Sequence, residues 1–133
     1  MEREKSARNE LLPSFTQEIL TGEPLLLRVV NTLRENERDI LAVVSGSFPT
    51  TINTSYEILV APRIRDLRPE ELDKFIAKLT PDSPALVDKK ILHSKGRGNV
   101  TYYDEERNLR ISVGFYASKE SFDREIEIEQ SKR

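Results

Sequence analysis

The chain contains no cysteine and no tryptophan, and only one histidine and one methionine among its 133 residues. Without cysteine there can be no disulfide, thiolate nucleophile, zinc–thiolate site or iron–sulfur cluster. With one histidine there is no two-histidine metal site, and a serine hydrolase would have only His93 as its base. The nearest thing to a nucleophile turn, Ser45-Gly46-Ser47, lacks the glycine on each side that a sharp elbow requires. Long apolar runs are missing too: they stop after about five residues, where a membrane-spanning helix needs about 20. The first ten residues, MEREKSARNE, are charged and have no apolar core of the kind a secretory signal carries. These absences lead us to expect a cytoplasmic protein with no membrane partner, no cofactor and no metal.

A large charge of one sign is also lacking. The 21 basic and 23 acidic residues leave a net charge of −2, and neither half of the chain is a charged tail. Any attraction to a polyanion must therefore come from a local patch. The length suits one domain, residues 1–133, with 1–12 and 130–133 as flexible ends.

What is present points to a small α+β domain. Residues 2–12 could form a short polar helix, and Ser14-Phe15-Thr16-Gln17 has capping-box spacing for another that ends at Gly22. In PLLLRVVNTLREN, Leu26, Val29, Val30 and Leu33 fall at helical spacing, with Pro24 in the first turn and Thr21 or Gly22 near the cap. Period two fits part of the same segment, so a strand stands as its alternative. Ile40 to Val44 is a short branched run of the kind found in a strand buried on both faces. Tyr56, Ile58 and Val60 alternate with Glu57 and Leu59 until Pro62 stops the strand.

Proline and two acids open a helix over 69–79, with Leu72, Phe75, Ile76 and Leu79 on one face. Ser83-Pro84 and Gly96 are start and stop signals for a further helix over 84–95, but Leu86, Val87, Ile91 and Leu92 fit neither period cleanly. Residues 99–103 and 109–116 read as a strand pair, the second alternating strictly from Leu109 to Phe115. Ile126 and Ile128 between Glu125, Glu127 and Glu129 suggest a last edge strand over 124–129, kept soluble by its acids. The expected fold is thus N-terminal helices, a central helix and an antiparallel sheet ending in a C-terminal meander. Helix 69–79, a turn, helix 84–95 and hairpin 98–116 also trace the order of a winged helix-turn-helix, which is the alternative.

Chemistry-bearing residues concentrate in one stretch. Residues 89–99 hold Lys89, Lys90, His93, Lys95 and Arg97 with two glycines and no acid. Arg107 and Arg110 follow, and Tyr102 or Tyr103 must face outward on an alternating strand. Cations give phosphate attraction, and an exposed aromatic gives a stacking surface. Asp88, Asp104, Glu105 and Glu106 flank the patch and partly neutralise it. We take Lys89, Lys90, His93, Lys95, Arg97, Tyr102, Arg107 and Arg110 as candidate polyanion-binding residues. Gly96-Arg97-Gly98 lacks a third glycine and precedes a strand, so it is no dinucleotide fingerprint. Glu57 would be a base with raised pKa if its face of the strand were desolvated, and an ordinary outward residue if that face is wet.

Three functions fit these readings. The first is a non-enzymatic binding or assembly module with a protein partner or a second copy, extended at an edge strand. The alternative is nucleic-acid binding through 89–99 and the following hairpin. The third is a small isomerase- or lyase-type enzyme using a carboxylate or His93 as acid/base.

Overall fold

A computed structural model of the protein describes residues 22–49 and 54–131. The helices expected over 2–12 and from Ser14 lie outside the described residues. Helix α1 (Pro24–Glu35) takes the helical alternative, with Glu23 at the N-cap position and Pro24 in its first turn. Its spacing puts Leu25, Leu26, Val29, Val30 and Leu33 on one buried stripe. Strands β1 (Ile40–Pro49) and β2 (Thr54–Pro62) follow, then helix α2 (Pro69–Leu79), which buries Leu72, Ile76 and Leu79. Strand β3 (Leu86–Leu92), a single 3₁₀ turn (His93–Lys95), β4 (Arg97–Asp104), β5 (Leu109–Tyr116) and helix α3 (Lys119–Ser131) complete the chain.

The strands form one five-stranded sheet in the order β1-β2-β5-β4-β3. Every pairing is antiparallel except β2–β5, which runs parallel with Ile58 beside Val113. The sheet is therefore mixed, mostly antiparallel, and the α+β class holds. The parallel pair departs from the antiparallel sheet expected. Alternation along β5 is the same whichever way its neighbour runs, so period alone carries no strand direction.

Two helices cover one face of the sheet. There α1 and α2 pack on Ile40, Ala42, Ile58, Val60, Val100, Tyr102, Ile111, Val113 and Phe115. On the opposite face α3 lays Phe122 and Ile126 over Leu41, Leu59, Ala61 and Tyr116. Among the described residues that cover stops partway. The rest of this second face, over β3, β4 and the start of β5, carries Lys90, Asn99, Thr101, Tyr103, Arg110 and Ser112, as the strand register requires. Asn99 donates from Nδ2 to the Ser112 Oγ (3.2 Å) and accepts from Thr101 (3.2 Å), forming a polar ladder in place of a second core.

Two expected elements are corrected. Residues 84–95 are not a helix. Ser83 instead makes a turn: its Oγ accepts the Ala85 N–H (3.1 Å) and its carbonyl accepts the Leu86 N–H (3.1 Å), after which the chain extends. Gly96 takes a left-handed φ of +61°, but it closes only the 3₁₀ turn. The winged helix-turn-helix outline loses its second helix with this correction. Residues 124–129 are not an edge strand but part of α3, since Phe122 and Ile126, four apart, face the sheet together. Ser118 caps this helix, its Oγ accepting the Ser121 N–H at 3.1 Å.

Candidate interaction edge at strand β3

The structure scatters the eight candidate residues. Antiparallel partners share a face of the sheet, so Lys90 opposite Asn99, and Arg110 opposite Tyr103, point to the open face. Arg97 joins them there opposite Leu92 and Tyr116. Lys89, opposite Val100, points to the other face, towards the side covered by α2. His93 shares a hydrogen bond of 2.9 Å between its Nε2 and Asp73 Oδ1 of α2, both side chains half-exposed, and so ties the 3₁₀ turn to that helix. Lys95 is exposed on the same turn. Arg107 sits at the far end of the β4–β5 hairpin, donating to the Gly22 carbonyl (2.9 Å) and pairing with Asp104 (3.8 Å).

Tyr102 is fully buried. Its hydroxyl donates to the Pro81 carbonyl at 2.7 Å, and burial, with Asp82 nearby, pushes its pKa up to about 12. The tyrosine that reaches the open face is Tyr103, whose hydroxyl donates to Asn108 Oδ1 (3.0 Å). Only Lys90, Arg97 and Arg110 of the set are thus brought to one face. Among these Arg97 is already engaged. Its guanidinium lies 5.1 Å from the centre of the Tyr116 ring, donates to the Tyr116 hydroxyl (3.3 Å) and pairs with Glu125 of α3 (3.2 Å). The bond to Tyr116 raises the Arg97 pKa, while burial raises that of Tyr116.

The sequence reading missed the apolar residues of β3. Four large hydrophobic side chains are exposed among the described residues, and two of them, Val87 (60%) and Leu92 (43%), stand near the two ends of this strand. β3 is the last strand of the sheet, and among the described residues no strand pairs with its outer side. Its backbone therefore offers a row of donors and acceptors to an added strand. Between the apolar ends lie Asp88, Lys89 and Lys90, all exposed. No sequence signal marked Val87 and Leu92, because the place of β3 at the edge of the sheet is known only from the strand order.

Beside this edge the open face dips into a shallow depression of about 190 Å³, lined by Lys90, Leu92, Arg97, Gly98, Asn99, Gly114 and Tyr116. Glu57, opposite Ser112 on the same face, and His93 do not border it. Among the described residues no group of three or more histidine, aspartate or glutamate side chains is placed to hold a metal ion, and no helix is long and apolar enough to cross a membrane. No protein-family model, curated protein or solved structure matches the chain.

Proposed function

We propose that the chain is a non-enzymatic binding or assembly module whose partner is an extended protein segment that adds as a sixth strand alongside β3. The observation that carries this reading is the exposure of Val87 and Leu92 on the outermost strand of the sheet. Main-chain hydrogen bonds would supply affinity, and the side chains of alternate residues would supply selectivity. Asp88, Lys89 and Lys90 favour a partner strand with charges of complementary sign at its centre and apolar residues at its ends.

Selection of extended ten-residue peptides on the wild type, counter-selected on Val87→Lys/Leu92→Lys, tests it. Enriched peptides should combine apolar and acidic residues and slow hydrogen exchange at the β3 amides. A selection that yields no peptide protecting β3 sinks the reading. A specific observation also favours nucleic acid: Lys90, Arg97 and Arg110 share the open face with Tyr103. Retention of single-stranded DNA or RNA at low salt, abolished by Lys90→Glu/Arg110→Glu while peptides fail to bind, would move the conclusion there.

A further inference from the structure

We infer that the segment added at β3 is the β3 of a second copy of the chain, paired antiparallel with Lys89 on the two-fold axis; this rests on the strand-addition reading and supplies its partner. A two-fold interface requires a strand to complement its own reverse. The sequence of β3 does so. It runs Leu86-Val87-Asp88-Lys89-Lys90-Ile91-Leu92, and read backwards it places apolar on apolar and base on acid. With Lys89 at the centre, Val87 meets Ile91 of the second copy and Asp88 meets Lys90, while Leu86, turned to the α2 face by the bulge, lies outside the matched stretch. Symmetry makes each of these contacts occur twice.

The faces of the sheet select this register. The two-fold axis of an antiparallel pair is perpendicular to the sheet, so opposed residues must point to the same face. Asp88 opposite Thr101 and Lys90 opposite Asn99 both point to the open face. A slip of one residue would set Asp88 against Lys89, which points the other way. Moving the centre to Lys90 keeps the faces but opposes the two Lys90 side chains there and sets Asp88 against Leu92 and Lys89 against Ile91. Moving it to Asp88 sets Leu86 against Lys90, which points the other way. Among face-matched registers, the one centred on Lys89 satisfies the charges.

Its cost is the approach of the two Lys89 side chains. They lie on the face shared with α2, away from the two Asp88–Lys90 pairs, and their long stems let the ammonium groups part. Two attractive cross-strand pairs thus oppose one repulsive pair. The ladder of β3 with β4 has a register shift between Leu86 and Asp88, leaving Val87 as the extra residue of a bulge. That bulge and the lysines discourage pairing with unrelated edges, so the charge register becomes the condition for pairing. Dimerisation would bring the exposed Val87 against Ile91 of the second copy.

Charge swaps with a mixing arm test the register. Lys90→Asp alone opposes Asp88 to an introduced acid twice, and Asp88→Lys alone opposes two bases twice. Mixed together, the two variants pair acid with base at both positions. Sedimentation equilibrium should show a wild-type dimer, dissociation constants raised about tenfold or more for each variant alone, and recovery in the equimolar mixture. Hydrogen exchange should slow at β3, and not at β1, as the dimer forms. A wild type that stays monomeric, variants that dimerise as well as the wild type, or a mixture that stays monomeric overturns the inference. Slow exchange of the β3 outer amides already in the dilute monomer also overturns it, because the chain then covers the edge itself. If the wild type is monomeric yet selected peptides protect β3, strand addition stands and the second copy falls. If neither happens, both fall.

Discussion

Gly98 of β4 lies directly beneath Ile76 of α2: a Cβ built on the glycine would stand 2.5 Å from the Ile76 Cδ1. The second glycine of the Gly96-Arg97-Gly98 run is therefore there to let the helix approach the sheet. Gly98→Ala should lower stability by about 1 kcal/mol, since the extra methyl must displace the Ile76 Cδ1 from its packed position. Ile76→Val removes the atom in conflict, so the double variant should lose less than the sum of the two single losses. Urea titrations of the four chains measure this, and strictly additive losses would refute the packing account.

Glu71 organises the entry to α2. Its two carboxylate oxygens accept the Arg65 guanidinium (3.0 and 2.6 Å), and Oε1 also accepts the Arg68 N–H (2.8 Å). The Arg65 bond first, then the backbone bond, hold its pKa at about 2 against an ordinary 4.5. A carboxyl group whose pKa falls on folding stabilises the folded state above its unfolded value, and that contribution is lost as pH drops towards the folded value. Glu71→Gln should therefore lower the melting temperature at pH 7. The gap from the wild type should narrow steadily from pH 4.5 towards pH 2. A gap independent of pH would show that the charge of Glu71 is not what secures this turn.

Phe122 attaches α3 to the sheet. It is fully buried among Leu41, Leu59, Ala61 and Tyr116, and its ring meets that of Tyr116 edge-on at 6.3 Å between centres. Phe122→Ala should cost about 3–5 kcal/mol of local stability. Because among the described residues only this helix covers that face, the loss should appear as faster hydrogen exchange in α3 with β4 little changed. Equal acceleration in α3 and β4 would mean that the helix unfolds only with the whole domain.

How much of this was legible depends on the local pattern. Helices α1 and α2 could be read because their apolar residues fall at helical spacing and proline marks each start. β5 was legible because burial alternates along most of it. β3 was not, and the reason is its bulge. Leu86 and Ile91, five residues apart, both pack against the core, a separation that neither period two nor a helical repeat predicts. In α3, the Glu-Ile-Glu-Ile-Glu run imitates a strand, while the deciding pair, Phe122 with Ile126, begins before it. The candidate site blurred for a related reason. Neighbours along β3, such as Lys89 and Lys90, point to opposite faces, so a run of basic residues in sequence does not make a basic surface.

The parallel seam between β2 and β5 divides the chain's route to its native state. The β1–β2 pair and the β3–β4–β5 meander each join segments close in sequence, whereas the seam joins Ile58 to Val113 across the whole of α2, β3 and β4. Closing so large a loop carries an entropy cost before any contact offsets it, and distant pairings slow folding. The two antiparallel halves can gather quickly from neighbours. Their meeting at the centre of the sheet should then set the pace, so that Ile58→Val or Val113→Ala slows refolding in stopped flow more than an equally destabilising change within either half.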